Sequence, residues 1–141
     1  KNDKILEIGT GTGYLSCCLS MMGKTLDTVD IDKDIQSQAK ESHGVYNLYN
    51  INYINEDVFS IWTPQKKYDV IVLTGSVDSR IDKLEDALNI NGRMFVVIGK
   101  YPVMNANIIK RVSEKKLVLE HSFETTLDPL KNINKKNYLN F

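Results

Sequence analysis

Apolar residues fall in short blocks separated by glycines and polar clusters, and the spacing inside the blocks alternates between two kinds. Lys4-Ile5-Leu6-Glu7-Ile8 is an apolar run closed by glycines, which predicts a buried strand. After the loop Gly9-Thr10-Gly11-Thr12-Gly13, the stretch Tyr14 to Met22 carries Leu15, Cys18, Leu19 and Met22 at three- and four-residue steps. That spacing predicts a helix face, with Gly23 as its stop. Thr25 to Ile31 reads as a second strand, and Asp32 as the N-cap of a helix running from about Lys33 to Ser42. Ile51 to Ile54 is a short third strand, followed by Asn55-Glu56-Asp57. Tyr68 to Thr74 is the strongest strand signal in the chain.

Beyond it, Ile81, Leu84, Ala87 and Leu88 share one face of a predicted helix from about Arg80 to Leu88. Asn91-Gly92 makes a turn into a strand from Arg93 to Ile98. Ile108 to Val112 and Leu117 to Phe123 flank the polar turn Ser113-Glu114-Lys115-Lys116 and predict an antiparallel hairpin. Lys131 to Phe141, rich in Asn and Lys and without periodicity, reads as a tail after one domain over residues 1–130. Strand–helix alternation over the first two-thirds gives an α/β fold with a mostly parallel sheet. The closing hairpin forms an antiparallel C-terminal edge.

Composition narrows the function classes. The 141 residues suit a single domain, and 42% hydrophobic with 26% charged residues is ordinary for a globular chain. Eighteen basic residues balance eighteen acidic ones, which argues against a broad nucleic-acid-binding face. Cys17 and Cys18 are adjacent and point apart on a helix, so they read as free thiols with no metal pattern. There is no 18-residue apolar run and no signal-peptide pattern, so neither a membrane partner nor secretion is expected, and a cytoplasmic setting is. The first strand begins almost at Lys1, so a natural start upstream is expected.

The glycine loop carries the chemistry. A strand that turns sharply into a helix through Gly9, Thr10, Gly11 and Gly13 exposes backbone N–H groups to a ligand. Dinucleotide folds use G-x-G-x-x-G; here the third glycine comes one residue early, and Tyr14 stands in its place. Glu7, two residues before the first glycine, would repel a pyrophosphate and suits the cationic amino group of a methionine moiety. Asp30, with Ile31 after it, lies about 20 residues beyond the glycines, where an acid reaches ribose hydroxyls. Asp32 can supply the helix cap and leave Asp30 free. After the third strand, Asp57 is placed to accept an adenine amine, with the Val58 N–H on a ring nitrogen. The competing readings are a ligand-free turn for the glycines, a helix cap for Asp30 and a turn acid for Asp57.

In this order, E-x-G-x-G-x-G, an acid ending the second strand and an Asp after the third resemble class I, Rossmann-like methyltransferases. Leu88-Asn89-Ile90-Asn91-Gly92-Arg93-Met94 is similar to their L-x-x-G-G-x-L turn, with Asn91 in the first glycine's place. Leu6 to Tyr14 is close to the L-E-I-G-T-G-S-G-Y of the protein-L-isoaspartate O-methyltransferase family, and Tyr68 to Thr74 to its Y-D-x-I-I-V-T. The similarity spans about residues 4 to 130.

The resemblance implies a three-layer Rossmann-like sandwich that binds S-adenosyl-L-methionine and methylates L-isoaspartyl carboxylates in damaged proteins. It also implies an upstream segment that covers the active site. Departures fall on the acceptor side. The family's T-A-A-P loop reads Thr74-Gly75-Ser76-Val77, its Gln after the V-G turn lacks a clear counterpart, and its R-F-V-P-L reads Thr126 to Leu130.

Thr74 and Ser76, at the end of the fourth strand, are the acceptor-side candidates for catalysis. His43, at a helix end, and His121, in a strand, read as structural. Tyr14 fits the ligand or the core equally. Phe59, Trp62 and Pro64 read as core packing, with cover for an adenine as the sharper alternative. Another methyl acceptor, a cofactor-binding fragment without turnover, and a nicotinamide-dependent oxidoreductase are the competing functions.

Overall fold

The computed structural model describes residues 2–132; most of the expected tail, from 133 on, lies outside the described residues. Ten elements follow one another: β1 (Lys4–Ile8), α1 (Tyr14–Met22), β2 (Thr25–Asp30), α2 (Lys33–Val45), β3 (Ile51–Asn55), β4 (Tyr68–Leu73), α3 (Asp82–Asp86), β5 (Leu88–Lys100), β6 (Val103–Ser113) and β7 (Lys116–Glu124). They build one seven-stranded sheet in the order β3-β2-β1-β4-β5-β6-β7. The junctions from β3 to β5 are parallel, whereas β5–β6 and β6–β7 are antiparallel. The expected α/β fold with an antiparallel C-terminal edge is therefore present. Its edge is a three-stranded meander, because β6 begins at Val103 and pairs with β5 along its whole C-terminal half.

Strand alternation sorts the core into two faces. Leu6, Ile8, Ile71 and Leu73 point to one side, where they meet Val58, Ile81 and Leu84, with Phe59 and Trp62 packed at the margin. Ile5, Val70 and Val72 point to the other, beneath Leu19 of α1. The two covering layers are unequal. One face carries α1 and α2; the other carries the 56–67 loop and the five-residue α3.

Two expectations about helices need correction. The helix from Arg80 to Leu88 contracts to Asp82–Asp86, because Leu88 pairs with Tyr68 and opens β5. The pairing then skips from Leu88 to Arg93, and Asn91 turns there with φ 67°. In α1 the inward residues are Ser16, Leu19 and Ser20, while Leu15 and Met22 face solvent. The helix is rotated from the apolar face that the sequence suggested because Ser16 donates a hydrogen bond to the buried Glu7 carboxylate. The second helix starts as expected, with Asp32 accepting from the N–H groups of Asp34 and Ile35, both at 3.1 Å, and runs on to Val45.

Candidate active site

At the C-terminal ends of β1, β2 and β4, parallel strands diverge into loops and leave a cleft, the usual ligand position in an open α/β sheet. Gly9, Gly11, Asp30, Ile31, Asp57, Val58 and Thr74 line it. Each comes from a strand end or the residues just after one.

The glycine loop is held in place along its length. Thr74 Oγ1 bonds the carbonyls of Ile8 at 3.0 Å and Gly9 at 2.8 Å. The Gly11 N–H donates to Asp30 Oδ2 at 3.0 Å. His43 Nε2 meets the Gly13 carbonyl at 2.7 Å, which fixes the ring as the Nε2–H tautomer and makes Nδ1 the acceptor of the Tyr53 hydroxyl, at 2.5 Å. Two glycines are required for different reasons. Gly13, at φ 85°, lets α2 approach, since a Cβ there would meet Ala39 and the His43 ring within 3 Å. Gly11, at φ 52°, has nothing within 4 Å of a built Cβ, so its bare face looks onto open space in the cleft.

Asp30 is the last residue of β2 and does not cap α2. It is not free either: Oδ1 accepts the Asp32 N–H at 2.8 Å while Oδ2 holds Gly11. Each oxygen keeps a further lone pair for a ligand hydroxyl. Asp57 accepts from the Phe59 N–H at 2.8 Å and from Asn132 Nδ2 at 3.1 Å.

Four candidates lie elsewhere. Glu7 is fully buried and does not reach the cleft. On β1 it shares a face with Ile5, so it points beneath α1, where Ser16 and Thr28 donate to Oε2 and Oε1 has no partner. Burial raises its carboxyl to about 7, against the lowering effect of those hydroxyls; the Asp30 charge adds a smaller upward push. Thr10 is turned inward, its hydroxyl 2.7 Å from that of Thr28. Gly13 is a packing contact for α2, not a cleft residue. Ser76 is buried because residues 128–130 cross over it: its N–H donates to the Asp128 carbonyl at 2.9 Å, and the Leu130 N–H returns to its carbonyl at 3.0 Å. That crossing removes Ser76 from the acceptor side. Tyr14 is 79% exposed and so is not a core residue.

The resemblance put Thr126 to Leu130 on the acceptor side and left Lys131 to the tail; the structure brings the end of that segment, with Lys131, to the cleft. Asp128 to Lys131 form a wall of the cleft, and Lys131 reaches Asp32 at 3.3 Å. His43 stands in the last turn of α2, as expected of a structural residue, and it also holds the loop carbonyl. Phe59 and Trp62 pack on the core. Among the described residues no helix is long and apolar enough to cross a membrane, and no group of His, Cys, Asp and Glu is arranged to hold a metal.

The family model for protein-L-isoaspartate(D-aspartate) O-methyltransferase matches residues 1–135. The chain belongs to the protein-L-isoaspartate O-methyltransferase family. A relative of that name from Alteromonas mediterranea is 33% identical over 99 residues, covering 70% of this chain and 47% of the relative. Another from Geotalea uraniireducens is 29% identical over 129 residues, 91% of this chain and 59% of its own. The chain thus spans about half the length of the curated relatives it matches.

Among solved structures, a protein-L-isoaspartate O-methyltransferase superposes with TM-score 0.83 at 25% identity, over 94% of this chain and 43% of that one. A Plasmodium falciparum structure described as the same enzyme, in complex with S-adenosyl-L-homocysteine, gives 0.79 at 17% identity, over 92% and 66%. At that identity the likeness is one of fold.

Proposed function

We propose that this chain is the cofactor-binding part of a protein-repair methyltransferase that uses S-adenosyl-L-methionine to methylate the carboxylate of L-isoaspartyl residues in damaged proteins, in the cytoplasm and without a nucleic-acid partner. The observation that carries the reading is the juxtaposition of Gly11 and Asp30. An open glycine face stands beside a carboxylate at the ends of adjacent parallel strands.

The residues present fit that cofactor. Asp30 offers the ribose its spare lone pairs. Ile31, Ile35, Val58 and Leu130 give the cleft apolar walls for a purine, and Asp57 stands beside them for its exocyclic amine. Glu7, buried beneath α1, does not reach the cleft to meet the cationic amino group.

When bound, the cofactor supplies a methyl carbon on a sulfonium, whose departure leaves a neutral thioether and needs no acid. An isoaspartyl carboxylate is already ionised at pH 7, so the acceptor needs no base. The chain's contribution is then to align and desolvate. Thr74, by tying the ends of β1 and β4, holds the floor on which the two reactants meet. Neither histidine is needed: His43 is buried behind the loop, and His121 lies exposed on β7.

Labelled methyl transfer from the cofactor to an isoaspartyl peptide, with the ordinary aspartyl peptide as control, tests the reading. Label on the isoaspartyl peptide alone supports it. Bound cofactor with no label on that peptide, and label on another acceptor, overturns it.

A further inference from the structure

Behind the glycine loop lies a chain of buried polar side chains that the cleft itself does not use. Gln36 Nε2 bonds Thr10 Oγ1 at 3.2 Å and the carbonyls of Thr28 and Ile54 at 3.1 Å each. The Thr10 and Thr28 hydroxyls are 2.7 Å apart, and Thr28 Oγ1 donates to Glu7 Oε2 at 2.7 Å. Ser16 donates to the same oxygen. All five side chains are buried.

We propose that Gln36, Thr28 and Glu7 are positioning residues: together they fix the conformation of Thr10, and through it the hold of the Gly11 N–H on Asp30 at the cleft. This rests on reading the cleft as an adenosyl site.

The donors determine a direction. Thr28 gives its only proton to the carboxyl, so its oxygen must accept from Thr10, and Thr10 in turn accepts from the amide of Gln36. Every proton in the line points toward Glu7, which gives the Thr10 hydroxyl one orientation. The inward face of α2 reinforces this. Its buried residues are Gln36, Ala39 and His43, and these engage Thr10 and Gly13 at the two ends of the loop.

Apolar side chains could fill the same space at less cost, since Glu7 Oε1 is buried without a partner. What the polar set adds is orientation. Gly11 follows Thr10 directly, so a Thr10 free to turn would release the peptide plane that carries the Gly11 N–H toward Asp30.

Three variants of the full chain test the idea: Thr28→Val and Gln36→Met, which break the line, and Thr28→Ser, which keeps it. Two quantities are read: the Kd for S-adenosyl-L-homocysteine by calorimetry, and hydrogen exchange of backbone amides by NMR. Thr28→Val and Gln36→Met are expected to weaken binding about tenfold, the loss of one buried hydrogen bond. They should also speed exchange at Gly11 and Gly13, and Thr28→Ser should restore both readings.

The proposal is overturned if the breaking variants bind as tightly as the parent, or if exchange rises evenly across the sheet and not at the loop. Should the parent itself not bind the ligand, the cofactor reading fails, and the exchange pattern alone decides the relay: local loosening supports it, unchanged loop amides overturn it. If Thr28→Val does not fold, Gln36→Met and Thr28→Ser carry the comparison.

Discussion

The imidazole of His43, near the end of α2, holds the carbonyl of Gly13 at 2.7 Å, thirty positions earlier in the chain. The glycine loop is thereby fastened to the helix of the next βαβ unit. Removing the ring leaves the carbonyl and the Tyr53 hydroxyl without that partner. His43→Leu is therefore expected to cost about 1–3 kcal/mol in urea unfolding. Gly13→Ala is expected to cost at least as much, because it forces a Cβ at φ 85° into the same ring.

Glu7 makes stability depend on pH in an unusual direction for an acid. Its folded value, about 7, lies above the 4.5 of an unperturbed carboxyl. Below pH 4.5 both states are protonated and Glu7 is neutral to stability. Between 4.5 and 7 the unfolded chain releases the proton while the folded chain keeps it, so stability falls as pH rises. Above 7 the full cost of a buried carboxylate is present. Glu7→Gln should remove this slope. Measured at pH 4.5 and pH 8, the stability of the parent relative to the variant should drop by on the order of 2–3 kcal/mol. A constant difference would show that folding leaves the titration of the Glu7 carboxyl unchanged.

Asp30→Ala is expected to weaken S-adenosyl-L-homocysteine binding by about 1–3 kcal/mol, because it strands ligand hydroxyls and the Gly11 N–H together. Calorimetry on the two proteins gives the difference directly.

Thr74 and Ser76 should behave differently although they are two residues apart. Ser76→Ala is expected to leave ligand affinity within about twofold, because Ser76 is buried beneath residues 128–130 and does not line the cleft. Thr74→Val loses the bonds to the Ile8 and Gly9 carbonyls and should weaken binding by about tenfold. Parallel titrations of both variants check the pair.

Much of this architecture was legible because local rules and the final structure agree. The run from Lys4 to Ile8, the cap at Asp32 and the turn at Asn91 each announce themselves in a few residues, and each sits where those residues put it. The rest depends on partners far away in sequence. Periodicity assigned Leu15 and Met22 to the core, but a buried acid on β1 drew Ser16 inward instead. Glu7 was given to the ligand on its distance from the glycines; its alternation with Ile5 already placed it under α1. Thr28 and Gln36 are polar residues on inward faces, a signal present in the sequence. Nothing local told that residues 128–131 fold back across β4 and take Ser76 out of reach.

The central claim is that the ends of β1 and β2 form an adenosyl site. A crystal of the protein grown with S-adenosyl-L-homocysteine tests it most directly. The ribose hydroxyls should lie within hydrogen-bond distance of Asp30, with the amino acid portion along Gly9 to Gly11. A cleft left empty at saturating ligand, or a ligand bound elsewhere on the molecule, would contradict the account.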